Sequence, residues 1–253
     1  DDARPEQWEE LIPGDDTVTI SDVDVNRTFL TLFERVDGIT RIRLRMWGDG
    51  RFITIKQPEA VSTVGSGANP DYDTTAIRYG YSSMVTPPTL FLYDVATEER
   101  HLLKQQEVLG DFNSADYHTE RIEAVGTDGV AVPVSLVMRR DRPRTEPGPC
   151  VLYAYGSYEA SIDPTFSAIR LSLLDRGFVF AIAHARGGGE LGRRWYEDGK
   201  LTRKANTFRD VETAARRLGL MTTDPSEALG GKVGSSHSEA EDTVVGVVSD
   251  FHF

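Results

Sequence analysis

The stretch that decides the fold is 150-CVLYAYGSYEASIDPTFSAIRLSLLDRGFVFAIA-183. Cys150 to Tyr155 is a short apolar run of the kind that forms a buried strand. Phe166 to Arg176 follows with apolar residues at Ile169, Leu171, Leu173 and Leu174 and ends at Gly177, which predicts a helix with a glycine stop. Phe178 to Ala183 is apolar again and predicts a second strand. A further helix is expected from about Asn206 or Thr207 to Leu218, rich in alanine and arginine. Strand, helix, strand, helix in that order argues for a parallel α/β sheet.

The preceding part of the chain reads differently. Between Thr17 and Leu103, short segments rich in β-branched and aromatic residues predict strands at Thr17 to Ile20, Phe29 to Arg35, Thr40 to Trp47, Phe52 to Ile55, Ala76 to Tyr81, Thr89 to Tyr93 and Arg100 to Leu103. Asp37-Gly38, Gly48-Asp49-Gly50 and Thr86-Pro87-Pro88 punctuate them as turns. A propeller blade uses four strands in about 40 to 50 residues, so this part supplies nearly two blades, too few to close a ring. The polar connection after Leu103 places a boundary near residue 110. Tyr117 to Val125 and Val132 to Arg139 then read as a strand pair around Thr127-Asp128-Gly129, and Pro143 to Pro149 as a surface loop. The expected organisation is residues 1–110 as propeller blades, 111–218 as a partial α/β domain and 219–253 as a divergent tail.

Composition limits the function classes. Of 253 residues, 28 are basic and 40 acidic, a net charge of −12 that repels nucleic acid and favours cationic ligands such as basic peptides. A hydrophobic share of 39% suits a real core. No run approaches the roughly 18 apolar residues of a membrane span, and Asp1-Asp2-Ala3-Arg4-Pro5 has no signal-peptide character. With one cysteine, Cys150, the chain forms no internal disulfide and no multi-cysteine zinc site; a cytoplasmic location is expected. The absence of an initiating methionine reads as a chain cut from something longer.

Two groups of motifs carry a resemblance. The first is Arg78-Tyr79-Gly80-Tyr81-Ser82-Ser83-Met84-Val85-Thr86-Pro87 with Leu102-Leu103-Lys104-Gln105-Gln106-Glu107-Val108. The second is Tyr155-Gly156-Ser157-Tyr158, Ser161-Ile162-Asp163-Pro164, Leu173-Leu174-Asp175-Arg176-Gly177-Phe178, Ala183-His184-Ala185-Arg186-Gly187-Gly188-Gly189-Glu190-Leu191-Gly192, and Trp195-Tyr196-Glu197-Asp198-Gly199-Lys200 with Asn206-Thr207-Phe208. In these, from about Trp8 to Arg217, the chain resembles the prolyl oligopeptidase family, its oligopeptidase B branch best. The resemblance implies a β-propeller covering an α/β-hydrolase domain, with the active site between them. It implies cleavage of short peptides after Arg or Lys by a serine, an acid and a histidine, without metal or organic cofactor.

Carried over residue by residue, Tyr155 matches the tyrosine that helps form the oxyanion hole, where an oriented donor stabilises charge developing on the carbonyl oxygen. Tyr158 matches an aromatic position beside the specificity pocket. Asp163 matches the first of two acidic positions linked to basic substrates; the second is Thr165 here, which weakens recognition of a cation. Asp163-Pro164 also suits a plain turn. Ala154 and Glu159 stand where the family pattern has glycine, so the local geometry around Tyr155 is open to change. Arg186 to Glu190 lacks the Gly-Lys-Ser/Thr ending of a phosphate loop and reads as a tight structural turn, and His184 reads as a structural histidine.

The catalytic centre itself is not found. No Gly-x-Ser-x-Gly elbow occurs in the sequence. Ser235, Ser236 and Ser238 lack its glycine frame, and with His237 and Asp242 they offer the residue types of a triad without a scaffold. The chain alone is expected to be inactive. The reading from another class is a non-catalytic interaction module, with self-association through exposed strand edges; a relocated nucleophile is a third.

Overall fold

The computed structural model describes residues 8–142 and 149–220. The tail residues Ser235, Ser236, His237, Ser238 and Asp242, the apolar stretch Val244 to Val248, and most of the proline-rich loop lie outside the described residues.

Two four-stranded antiparallel sheets come first. One is β1 (Val18–Val25), β2 (Phe29–Val36), β3 (Ile39–Met46) and β4 (Phe52–Ile55); the other is β5 (Ser62–Ser66), β6 (Ala76–Ser83), β7 (Thr89–Asp94) and β8 (Arg100–Gln105). Each is a consecutive meander, as propeller blades are. The turn from β2 to β3 is the two residues Asp37 and Gly38, both at positive φ (49° and 77°), the primed geometry that matches the twist of a hairpin. Phe29, Phe33, Ile42 and Leu44 from the first sheet face Ile77, Tyr79, Tyr81 and Tyr93 from the second in one buried cluster. Side chains of this size contribute about 1.5–3 kcal/mol each when fully buried, so face-to-face packing holds the two sheets together.

Strand β5, Ser-Thr-Val-Gly-Ser, has no counterpart in the sequence reading. Its composition is that of a loop, and it becomes a strand because β6 pairs with it from Ser62↔Ser83 to Ser66↔Tyr79. In β1, Ile20 is followed by a register shift, after which Asp22 and Asp24 alternate with Val23 and Val25 as far as Val25.

The third sheet has the order β11-β12-β10-β9, with β9 (Tyr117–Val125), β10 (Ala131–Arg139), β11 (Cys150–Ala154) and β12 (Val179–Ala183). It is mixed: β11 and β12 are parallel, joined by α1 (Ala168–Leu174), whereas β9, β10 and β12 pair antiparallel. The expected parallel sheet holds only where a helix crosses over, because a hairpin such as β9–β10 must return antiparallel. Helix α1 is capped by Ser167, whose side chain accepts from the Arg170 amide, and stops before Gly177 at φ 84°. After β12 come α2 (Arg193–Glu197), absent from the sequence reading, and α3 (Ala205–Arg217).

Ala214 and Leu218 cover β9, β10 and β12 from one side. On the other side Val61, Met84 and Val85, which flank strands of the second sheet, share a buried cluster with Tyr117, Val137, Leu174 and Ile182. The propeller sheets are thus anchored on the α/β part through an apolar contact. Cys150 lies in the α/β core, where burial pushes its thiol up to about 12. Among the described residues no helix is long and apolar enough to cross a membrane.

Candidate active site loop

Tyr155, Tyr158 and Asp163 lie on the segment that leaves β11 and runs to α1. Tyr155 is half exposed and Tyr158 is 85% exposed, which leaves both rings accessible to a ligand. Asp163 is not a free carboxylate. Its Oδ1 accepts from Arg35 Nη1 at 2.7 Å, a contact from the end of β2.

The segment is fixed from below by the turn after β12. The Glu159 amide donates to the Gly187 carbonyl at 3.1 Å, and the Ile162 amide to Glu190 Oε1 at 3.0 Å. A Cβ at Gly187 would sit 2.2 Å from the Gly156 carbonyl oxygen, and one at Gly189 2.5 Å from that of Glu159. The three glycines therefore form a surface on which the Tyr155–Asp163 backbone rests, and no P-loop is built. From α3 and the residue before it, Lys204 Nζ donates to the Gly156 carbonyl at 2.5 Å and to Ser157 Oγ at 2.6 Å, while the Thr207 hydroxyl donates to the Arg186 carbonyl at 2.6 Å. Removal from solvent lowers the Lys204 ammonium pKa. A further contact comes from the second propeller sheet, where Ser82 Oγ accepts from the Phe166 amide at 3.1 Å, and the first sheet's Asp37 carbonyl accepts from Arg121 of β9.

Arg186 anchors this turn. It is buried, and its Nε and Nη2 bind the Asp210 carboxylate of α3, with Nη2 at 2.6 Å from Oδ1; Nη2 also reaches Asp128 at 2.8 Å, and its amide donates to Asp210 Oδ2 at 2.8 Å. The Asp210 carboxylate holds the guanidinium above its ordinary pKa, and Arg186 holds Asp128 below the usual carboxylate range. His184 is fully buried, with Nε2 2.8 Å from Ser135 Oγ and Nδ1 3.7 Å from Glu190 Oε1. These are the residue types of a triad, but with Ser135 also fully buried no substrate reaches them.

The two departures from the glycine pattern differ in effect. Ala154 is a strand residue with no positive φ, so a methyl group fits there. Glu159 has φ 59°, next to Tyr158 at 57°, a region costing a non-glycine residue roughly 1–2 kcal/mol. Its carboxylate pairs with exposed Arg193 at 2.6 Å, which offsets little of that. Glu159→Gly is therefore expected to stabilise the fold by about 0.5–1 kcal/mol after the extra unfolded-state entropy of glycine, read as a higher urea midpoint. An unchanged or lower midpoint contradicts the strain at this position.

Arg35, Lys204 and the Arg186–Asp210 pair were not among the candidates drawn from the sequence. Arg35 and Asp163 are 128 positions apart, and no local pattern announces such a contact. Among the described residues no group of three or more His, Cys, Asp or Glu is placed to hold a metal ion.

Comparison with known proteins agrees with this architecture. Residues 1–106 match the family described as prolyl oligopeptidase, N-terminal beta-propeller domain, and residues 164–230 match the prolyl oligopeptidase family. The second match extends beyond Arg217, where the sequence reading ended the resemblance. Dipeptidyl aminopeptidase BI of Pseudoxanthomonas mexicana is 40% identical over 238 residues, 92% of this chain and 33% of that protein. Protease 2 of Moraxella lacunata is 38% identical over 194 residues, 76% of this chain and 28% of that protein. Oligopeptidase B from Trypanosoma brucei, in a closed form with covalently bound antipain, superposes with a TM-score of 0.74 at 41% identity, over 82% of this chain and 30% of that one. The Leishmania major oligopeptidase B gives 0.75 at 37%, over 84% and 31%. The chain thus spans about a third of the length of these relatives. With residues 1–106 and 164–230 matched in order by the two models of this family, and the fold shared with the oligopeptidase B structures, the chain belongs to the prolyl oligopeptidase family.

Proposed function

We propose that the whole protein, of which this chain corresponds to about a third of the relatives' length, is a cytoplasmic serine oligopeptidase that hydrolyses short peptides after Arg or Lys. The observation that supports this most is the 41% identity and common fold with an oligopeptidase B structure. Tyr155 is the proposed oxyanion donor: it directly follows β11, its ring is accessible, and among the described residues its hydroxyl makes no hydrogen bond. Tyr158 and Asp163 are the proposed substrate contacts, the first through its exposed ring and the second through its carboxylate. The division is residues 1–110 as propeller blades, 111–218 as part of the hydrolase domain and 219–253 as a tail.

The sequence has no Gly-x-Ser-x-Gly elbow, so no acyl transfer is expected from this chain by itself. The test is hydrolysis of a fluorogenic peptide with Arg at the scissile bond, beside a fluorophosphonate-treated control. No turnover is expected, and robust inhibitor-sensitive turnover would overturn the account of the nucleophile. Comparing free and blocked N-termini then separates oligopeptidase from dipeptidyl aminopeptidase behaviour in a full-length relative assembly carrying this segment.

The second reading is an interaction module. It is favoured by the outer edge of β11, Cys-Val-Leu-Tyr-Ala, which carries no charge and among the described residues pairs only with β12. Concentration-dependent association on a sizing column supports it, and a monomer at all concentrations contradicts it.

A further inference from the structure

The ion pair between Arg35 and Asp163 joins a propeller sheet to the loop proposed to hold substrate. Arg35 also donates from Nη1 to the Gly38 carbonyl at 3.1 Å, so the β2–β3 hairpin turn orients it. The contact to Asp163 uses one nitrogen and one oxygen, Nη1 and Oδ1 at 2.7 Å, rather than the two parallel bonds of a guanidinium fork. Among the described residues Oδ2 takes no hydrogen bond, and the Asp163 side chain keeps 30% of its exposure against 14% for Arg35. The carboxylate is therefore satisfied on one side by an internal cation and open on the other.

An arginine side chain of a peptide presents the same group as Arg35. We infer that Arg35 is a specificity-determining residue that competes with the substrate's cation for Asp163. This rests on the reading of Asp163 as a substrate contact. A peptide guanidinium that takes the full fork on Asp163 must displace Arg35 Nη1, which breaks a link between the propeller sheet and the loop. Binding of a basic side chain is thereby opposed by the internal pair and coupled to the contact between the two parts of the chain. Thr165 adds no second carboxylate with which the two cations could be accommodated together.

The experiment is a calorimetric titration of the 253-residue chain with acetyl-Arg-Arg-amide, repeated with its citrulline counterpart, for the unaltered protein, Arg35→Met, Asp163→Asn and the double variant. Arg35→Met is expected to bind the arginine peptide about tenfold more tightly, in keeping with the strength of one hydrogen bond between charged groups, with no such gain for citrulline. Asp163→Asn in the Arg35→Met background removes the gain. If Asp163→Asn weakens binding and Arg35→Met does not tighten it, the competition is overturned while the substrate-contact reading stands. If neither substitution changes binding, or no variant binds, both fail. Should Arg35→Met not fold by circular dichroism, the NMR signal of Arg35 Nε–H in the unaltered chain decides: it shifts with added peptide if the pair opens, and a signal unmoved at saturating peptide overturns the inference.

Discussion

Gly187→Ala is expected to destabilise the protein by about 2–5 kcal/mol, the sum of a left-handed backbone penalty of roughly 1–2 kcal/mol and overpacking of roughly 1–3 kcal/mol. Gly187 has φ 96°, and a Cβ there would lie 2.2 Å from the Gly156 oxygen and 2.9 Å from the Gly199 oxygen. Both neighbours are backbone, so neither moves as the end of a flexible side chain would. Gly199 is packed in return, with a Cβ position 2.1 Å from the Gly187 amide. The three segments Gly156, Gly187 and Gly199 therefore meet at a junction with no room for a methyl group. Chemical denaturation followed by far-ultraviolet circular dichroism measures the effect. A loss below about 1 kcal/mol, less than either contribution alone predicts, would show that the junction opens easily. Gly129→Ala is the useful control, since Gly129 has φ 79° and nothing within 4 Å of its Cβ position; it isolates the backbone penalty.

Asp210→Asn is expected to cost about 3–5 kcal/mol, because it leaves the buried Arg186 guanidinium without its main counter-charge. Asp210 accepts the Arg186 amide as well as its side chain, so the carboxylate ties both the backbone of the glycine turn and α3 to one another. Asp128 is the remaining partner, but its side chain is 42% exposed and it reaches only Nη2, so it replaces little of the lost interaction. Arg186→Met alone leaves the Asp210 carboxylate buried at 2% exposure and is expected to cost a similar amount. The double variant Arg186→Met/Asp210→Asn should lose much less than the sum of the singles, since removing both charges also removes the desolvation penalty. Strict additivity in this cycle would mean that the pair is not the source of the stability. Because the turn carries the loop above it, Asp210→Asn should also increase amide exchange at Glu159 and Ile162, whose N–H groups bond to Gly187 and Glu190.

Much of the local structure was legible because short-range rules suffice for it. Asp37-Gly38 between two strand-forming runs specifies a hairpin, and Gly177 stops a helix whose apolar residues were legible, whereas its Ser167 cap came from the structure. Strand β5 was not legible, since its serine and glycine residues are strand-forming only beside β6. Helix α2 was missed for a related reason: it is five residues long, begins at Gly192 without a side-chain cap bond, and is held by the turn that precedes it. Tyr155, Tyr158 and Asp163 were found by resemblance to a family, and their composition and spacing alone do not single them out. Glu159 was flagged as a departure from glycine, yet its φ of 59° is visible only in the folded backbone.

By itself the sequence determined the kind of chain this is: strand-rich blades followed by the start of an α/β sheet, with no nucleophile elbow. Those features depend on alternation, turn residues and motifs, which act between near neighbours. Tertiary structure decided the state of the candidate site. It brought Arg35 to Asp163, set the glycine turn beneath the tyrosine loop, and buried His184 beside Ser135 out of reach of substrate. Each of these joins residues from separate strands or loops, and packing rather than local preference fixes such distances, so how much of the Asp163 carboxylate stays exposed is a property of the fold.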